Sequence, residues 1–256
     1  MSQPVIVVTN DDGITSNGIK NLVEVAKEFG KVLVVAPDKG QSGMGHAITI
    51  GQVLRLIPYY GFGEEVEAYQ CTGTPADCVK FAKNHLLKDS PPDLVLSGIN
   101  HGSNTSISVV YSGTMSAALE AAIDEMPAIG FSLCDYETSA NMDHVLPHMR
   151  QIISSVLEKG ITKGIALNVN FPALSNEPIK GIRVSRQAKA SWEEIFAERE
   201  DPHGGKYFWL GGNFNNYDLS EDTDEWAVEN NYTSVVPCHF DMTAYKDIDK
   251  LKAWDL

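Results

Sequence analysis

Short hydrophobic runs alternate with stretches of helical periodicity through the first two thirds of the chain. The runs are rich in β-branched residues and end at polar or glycine-containing segments, which is typical of strands buried on both faces of a parallel sheet. The predicted strands cover residues 5–8, 32–37, 93–97 and 165–171. Strands that alternate with helices predict an α/β fold with a doubly wound, mostly parallel sheet and right-handed crossovers.

The intervening helices carry recognisable start and stop signals. Apolar residues recur at helical spacing from residue 19 until Gly30 ends the first helix. Thr74 is a predicted N-cap, followed by Pro75 in the first turn and by Asp77, which completes a capping box. Further helices are predicted for about 113–124 and for 146–157.

The texture of the chain changes after Gly181. Residues 204–240 combine many aromatic residues with glycine and asparagine, a composition that favours hairpins and extended segments over βαβ units. Aromatic side chains on a projecting segment are usually buried against a partner. We therefore expect one domain over residues 1–256, with a core of about 1–185 and a C-terminal oligomerisation arm of about 186–256.

Two adjacent carboxylates follow the first predicted strand, in the sequence Asn10-Asp11-Asp12-Gly13. Ligands of open α/β sheets bind beyond the carboxyl ends of the strands, so these side chains are well placed for a site. Like charges held side by side favour a bound cation. The alternative is that both aspartates only shape a turn or cap the next helix, as such residues often do.

The next two strand ends supply further oxygen atoms. A glycine-rich loop over residues 38–46 carries Ser42, and residues 97–104 carry Asn100 and Asn104. Carboxylate, hydroxyl and amide oxygens are hard ligands that suit Mg²⁺ or Mn²⁺ better than zinc. Each segment taken singly is more typical of a turn, but together at neighbouring strand ends they favour one divalent metal ion.

The alanine-rich helix begins with Ser112, Gly113 and Thr114. Hydroxyl and free N–H groups at the positive end of a helix form an anion site, and phosphate is its natural ligand. An ordinary Ser/Thr cap is the alternative interpretation. A metal cluster beside such a helix start favours metal-assisted phosphoryl chemistry.

Charge and composition exclude several other classes. The chain has a formal net charge of −14, which disfavours binding to a nucleic-acid duplex. No hydrophobic run approaches membrane-spanning length, and four scattered cysteines suit a reducing, cytoplasmic environment. The G-x-G-x-x-G dinucleotide fingerprint and the G-x-S-x-G elbow of serine hydrolases are both missing from the sequence.

An ordered set of short motifs runs through nearly the whole chain. The segments are TNDDG at 9–13, APD at 36–38 with QSG at 41–43, GTPADCV at 73–79, SGIN at 97–100 with Gly102 and Asn104, YSGT at 111–114, LNVNFP at 167–172, RQ at 186–187, DPHG at 201–204, DTD at 222–224 and YTSV at 232–235. Their order makes the set specific, and it resembles the SurE family of stationary-phase survival proteins. One departure is VPCH at 236–239, where the family has a Thr-Pro-Leu type of sequence.

The resemblance implies a metal-dependent phosphatase that acts on nucleoside 5′- and 3′-monophosphates and, in some members, on short-chain polyphosphate. It implies a Rossmann-like three-layer core and a C-terminal arm exchanged within a homodimer, with dimers that can pair into tetramers. The family's metal ligands match Asp11, Asp12, Ser42 and Asn100, and Asp11, Asp12 and Asn100 are also the expected catalytic residues. The expected phosphate contacts are Asn10, Asn104, Ser112, Gly113 and Thr114.

We expect direct hydrolysis, with Asp11 as the first candidate for orienting the attacking water. Two other functions remain open on the residues alone. One is a non-catalytic nucleotide or metal sensor that uses the same pocket. The other is a nucleotide-sugar transferase, which the single acidic motif and the one-phosphate anion site disfavour.

Overall fold

A nine-stranded mixed sheet forms the centre of the protein, in a computed structural model that describes residues 3–254. Its strands are β1 (Val5–Thr9), β2 (Lys31–Pro37), β3 (Leu56–Pro58), β4 (Glu67–Cys71), β5 (Leu94–His101), β6 (Ala128–Leu133), β7 (Ile165–Phe171), β8 (Ile182–Val184) and β11 (Thr233–His239). Their spatial order is β3-β4-β2-β1-β5-β6-β7-β11-β8. The six neighbours from β4 to β7 are all parallel, whereas β3 and β11 run antiparallel to β4 and β7. The predicted sheet is confirmed.

Helices cover both faces of this sheet. They are α1 (Asn17–Ala26), α2 (Pro75–Phe81), α3 (Gly113–Ile123), α4 (Leu146–Lys159) and α5 (Asp224–Glu229), and a further helix, α6 (Tyr245–Lys252), has no buried residues. Alternate side chains of each strand enter opposite hydrophobic clusters. Val8 packs with Leu22 of α1 and Met149 of α4, whereas Val7 packs with Val79 of α2 and Ala118 of α3. The result is the expected three-layer α/β/α sandwich.

Strand β5 is longer than its hydrophobic run indicates. The sequence predicts a strand over 93–97 followed by a polar loop, but the strand continues to His101. Its pairing with β6 shifts register between Ser97 and Asn100. An irregularity of this kind can redirect a side chain at a sheet end. Asn100 therefore projects from the end of a strand instead of from a loop, which corrects the expectation.

The helix starts follow the sequence signals. The Thr74 hydroxyl accepts a hydrogen bond from the Asp77 N–H, and the Asp77 carboxylate accepts one from the Thr74 N–H. This is the predicted capping box. The Asp77 carboxylate also accepts from the N–H and hydroxyl of Thr49, so it ties the segment after the Ser42 loop to α2.

The last quarter of the chain divides into a projecting hairpin and a part that returns to the sheet. Strands β9 (Ala190–Glu200) and β10 (Lys206–Asn216) form a separate two-stranded sheet. After it, α5 leads into β11, which pairs with β7, so the segment expected as an arm also supplies one strand to the central sheet. Within residues 3–254, no helix is both long and apolar enough to cross a membrane.

Candidate active site

Three adjacent strand ends and one helix start meet at a single cavity. The carboxyl ends of β2, β1 and β5 lie side by side because the three strands are parallel neighbours. The cavity between them and α3 has a volume of about 290 Å³. Five of the side chains expected at the site line it: Asp11, Ser42, Asn100, Asn104 and Ser112.

Asp11 is a buried carboxyl at the floor of this cavity. The residue is 4% exposed, and the Thr114 hydroxyl donates a hydrogen bond of 2.6 Å to its Oδ1 atom. Burial raises the pKa of Asp11 to about 6, and the charge of Asp12 adds to the increase, although hydrogen bonding from Thr114 opposes it. A carboxylate that is so poorly solvated gains from a nearby positive charge.

Asp12 is held by His101, a residue that the sequence reasoning did not single out. The backbone N–H of His101 lies 3.2 Å from Asp12 Oδ2, and the ring Nδ1 lies 3.0 Å from the same atom. The signal was present in the sequence, because His101 directly follows Asn100 at the same strand end. These two contacts fix the direction in which the Asp12 carboxylate points.

Asn100 and Ser42 add neutral oxygen atoms. The Asn100 amide nitrogen donates to the Gly102 carbonyl at 2.8 Å, which leaves the amide oxygen as the available atom. Ser42 lies at the exposed rim. Its loop is attached to the site because the Gln41 N–H donates to the Asp11 carbonyl at 2.7 Å.

The start of α3 contacts Asp11 directly. The Ser112 hydroxyl accepts a hydrogen bond from the Met115 N–H at 3.0 Å, so Ser112 is the N-cap of α3. This is the ordinary Ser/Thr cap that the sequence also allowed. A Cβ atom on Gly113 would lie 2.7 Å from Asp11 Cβ. The Asp11 carboxyl thus lies against the positive end of the helix, and the Thr114 hydroxyl already donates to it.

Asn104 belongs to a buried amide network behind the cavity. Its N–H donates to Asn170 Oδ1 at 2.9 Å, and its side-chain nitrogen donates to the Ser132 hydroxyl at 2.7 Å. The Asn168 amide donates to the Asn104 carbonyl, and Asn170 donates to Asn168. These contacts hold Asn104 rigidly at the edge of the site, and the sequence reasoning did not identify the network.

Asn10 is not brought to the cavity. Its side chain is fully buried, and its amide nitrogen donates to the Gly13 carbonyl and to the Ser16 hydroxyl, both at 2.9 Å. Asn10 therefore shapes the turn that presents the two aspartates. The expected contact of Asn10 with phosphate stays a prediction.

The residues present fit a hard divalent cation. Asp11, whose pKa burial raises, lines the cavity together with Asn100 and Ser42, and Asp12 follows Asp11 directly at the same strand end. The candidate ligands are two carboxylates, one amide oxygen and one hydroxyl, and in residues 3–254 no group of three or more His, Cys, Asp or Glu side chains could hold a metal ion. This is a chemistry that suits Mg²⁺ or Mn²⁺.

Comparisons with known proteins identify the family of the chain. The family model described as "Survival protein SurE" matches residues 6–194. The 5′-nucleotidase SurE of Cytophaga hutchinsonii is 62% identical over 98% of this chain and 96% of its own length. The 5′-nucleotidase SurE of Flavobacterium psychrophilum is 55% identical over 100% of this chain and 99% of its own length.

A solved structure gives the same answer for the fold. The crystal structure of the SurE protein from Aquifex aeolicus superposes on this protein with a TM-score of 0.85 at 39% sequence identity. The match covers 99% of this chain and 100% of the Aquifex chain. Sequence, fold and relatives agree over essentially the whole length, and the chain belongs to the SurE family.

Proposed function

We propose that the protein is a divalent-metal-dependent phosphomonoesterase that hydrolyses nucleoside 5′-monophosphates to nucleoside and phosphate. The observation that carries the proposal is the pair Asp11 and Asp12 at one strand end, with Asp11 facing Asn100 and the start of α3 across one cavity. The relatives named 5′-nucleotidase SurE support the same reaction. Nucleoside 3′-monophosphates and short-chain polyphosphate are proposed as further substrates.

Asp11, Asp12, Ser42 and Asn100 would hold one Mg²⁺ or Mn²⁺ ion. When bound, such an ion neutralises phosphate charge and lowers the pKa of a coordinated water. Asp12 is the fixed ligand of the pair, because His101 holds its Oδ2 atom in place. Asn100 would contribute the oxygen that its hydrogen bond to Gly102 leaves available.

The protein's own groups account for the remaining steps. Thr114 occupies Asp11 Oδ1, so Oδ2 is the oxygen that would orient the attacking water and accept its proton. The phosphoryl oxygens would contact Ser112, Gly113, Thr114 and Asn104, with the positive end of α3 offsetting their charge. Attack on phosphorus then breaks the ester bond, and the released nucleoside oxygen takes up a proton.

The hairpin β9–β10 is proposed as the contact of a homodimer formed by arm exchange, with dimers able to pair into tetramers. Several large apolar side chains of the hairpin are exposed: Ile195, Phe196, Phe208, Trp209 and Leu210. Such a surface is usually covered by a partner.

We also propose a cytoplasmic location for the protein. All four cysteines are free thiols, which supports a reducing environment.

The deciding experiment is phosphate release from nucleoside monophosphates with Mn²⁺, Mg²⁺ or EDTA. We expect metal-dependent release that falls by at least about 100-fold in Asp12→Asn, because a charged ligand is lost. Asp89→Asn, at an exposed position, removes the same charge and should leave the rate unchanged. Nucleotide binding without phosphate release under any metal would refute the proposal and favour a sensor.

A further inference from the structure

Glu225 is a buried carboxyl that the proposed reaction does not use. It lies at the start of α5 and is only 7% exposed. In residues 3–254 it has no salt-bridge partner, and its one side-chain hydrogen bond comes from the Thr105 hydroxyl to Oε1. Burial raises the pKa of Glu225 to about 7, against the opposing effect of Thr105. Burying such a group without a positive partner is costly.

The neighbouring Asp224 already performs the structural task at this helix start. Its carboxylate accepts hydrogen bonds from the N–H groups of Ser106 at 2.8 Å and of Ala188 at 2.9 Å. It therefore connects three segments of the chain. Glu225 makes no comparable set of contacts, and its Oε2 atom has no hydrogen-bond partner within the described part of the chain. The Oε2 atom of Glu225 is thus available to accept a hydrogen bond from a ligand.

The Glu225 side chain lines a small cavity of about 190 Å³. This cavity shares four lining residues with the cavity of the candidate active site: Ser103, Ser108, Tyr136 and Trp192. The two cavities are therefore adjoining parts of one cleft. A phosphate ester bound at the aspartates has room to extend its leaving group towards Glu225.

Two aromatic rings border the passage between the two parts. Trp192 lines both, and its ring packs edge-on against Phe214 with centroids 5.4 Å apart. The Tyr136 ring lies so close to Gly102 that a Cβ there would come within 2.6 Å of it. Flat aromatic walls around a polar end suit a ring compound that carries hydrogen-bond donors.

We propose that Glu225 is a specificity-determining residue, which accepts a hydrogen bond from an O–H or N–H donor of the nucleoside between Trp192 and Tyr136. This inference rests on the proposed nucleotidase function. It assigns the binding of the leaving nucleoside to the end of the cleft that contains Glu225. A carboxylate is the usual acceptor for base amino groups and for sugar hydroxyls. Glu225 would therefore make the enzyme selective for nucleotides over phosphate esters that have neither a base amino group nor a sugar hydroxyl.

A second cavity adjoins the site on the other side of Trp192. It measures about 540 Å³ and is lined by the hairpin residues Glu194, Leu210 and Gly211. Its walls are mainly apolar, and Glu194 is exposed at its edge, whereas Glu225 is buried and its Oε2 atom has no hydrogen-bond partner in residues 3–254. Glu194→Ala is therefore the matched control, since it removes a carboxylate from the other cavity.

The test compares kcat/KM for AMP, GMP, CMP, UMP, 2′-deoxy-AMP, ribose 5-phosphate and p-nitrophenyl phosphate in the wild type and the variants. In Glu225→Ala we expect a loss of about 10- to 100-fold for nucleotides, the usual effect of a lost hydrogen bond to a charged group. Hydrolysis of p-nitrophenyl phosphate, which has no sugar or base, should be unchanged. Glu225→Gln keeps an acceptor oxygen and should restore part of the loss.

The substrate panel also identifies the donor. If the donor is the ribose 2′-hydroxyl, Glu225→Ala should leave kcat/KM for 2′-deoxy-AMP unchanged. If the donor is on the base, kcat/KM for ribose 5-phosphate should be unchanged, and if it is the 3′-hydroxyl, kcat/KM should fall for both compounds. Each of these patterns supports the proposal. An equal loss for p-nitrophenyl phosphate, no loss in a variant that melts like the wild type, or a loss in Glu194→Ala instead overturns it. A wild type that releases phosphate from none of these esters refutes the nucleotidase function itself.

Discussion

Gly113→Ala tests whether the close contact between α3 and Asp11 matters for activity. An added Cβ would lie 2.7 Å from Asp11 Cβ and 2.8 Å from its Oδ2 atom. Ordinary carbon contacts are about 3.5–4.0 Å, so the Asp11 side chain must move by roughly 1 Å. A displacement of this size at a catalytic group costs about 100-fold in rate, or ~2.7 kcal/mol of transition-state stabilisation.

The assay is kcat/KM for AMP with Mn²⁺, together with the urea midpoint of unfolding. We expect the activity loss to exceed the stability loss, which should be about 1–3 kcal/mol for an overpacked contact. Gly40→Ala is the matched control, because its Cβ would meet only the Asp12 carbonyl oxygen at 3.9 Å. Wild-type kcat/KM in a folded Gly113→Ala protein would refute the role assigned to the Asp11–helix contact.

Three further predictions concern stability. Asp77→Ala removes the capping box and the anchor of Thr49, and it should destabilise the fold by about 1–3 kcal/mol in urea titrations. Phe171→Ala empties a fully buried ring site and should cost about 3–5 kcal/mol in the same experiment. The pKa of Glu225 is raised to about 7 from an ordinary 4.5, so the folded protein binds the proton of this carboxyl more tightly than the unfolded chain does. The resulting contribution to stability is fully present below pH 4.5 and is lost as the pH rises through 7. Glu225→Gln should therefore reduce the fall in melting temperature between pH 5 and 8.

Each of these has a control and a result that contradicts it. Asp89→Ala and Phe240→Ala make the same changes at more exposed positions and should alter the unfolding free energy little. A mild effect of Asp77→Ala or Phe171→Ala, equal to that of its control, contradicts the packing described here. A pH dependence of melting in Glu225→Gln that equals that of the wild type contradicts the assignment of the raised pKa.

Local patterns were sufficient to predict part of the core. The β-branched runs gave β1, β2 and β7 because strands buried on both faces need continuous apolar sequence. The capping box at Thr74 and Asp77 was predicted because its chemistry is confined to four consecutive residues. Strands β4 and β6 were not predicted, and β5 was predicted too short.

The candidate site was predicted only as far as strand ends could place it. The sequence alone indicated that Asp11, Asp12 and Ser42 follow parallel strands and that Asn100 lies near the end of another, and parallel neighbours bring their carboxyl ends to one edge. The sequence did not predict that the Asn10 side chain turns inwards and shapes the loop, in contrast to the neighbouring aspartates.

Contacts between distant segments were decided by the tertiary structure. The bonds from His101 to Asp12 and from Asn170 to Asn104 join residues that are 89 and 66 positions apart. The same holds for Thr105 and Glu225, which are 120 positions apart and together border the small cavity. Local sequence determines which elements form and which end of each carries polar groups, whereas partners, burial and pKa depend on how the packed layers bring remote segments together.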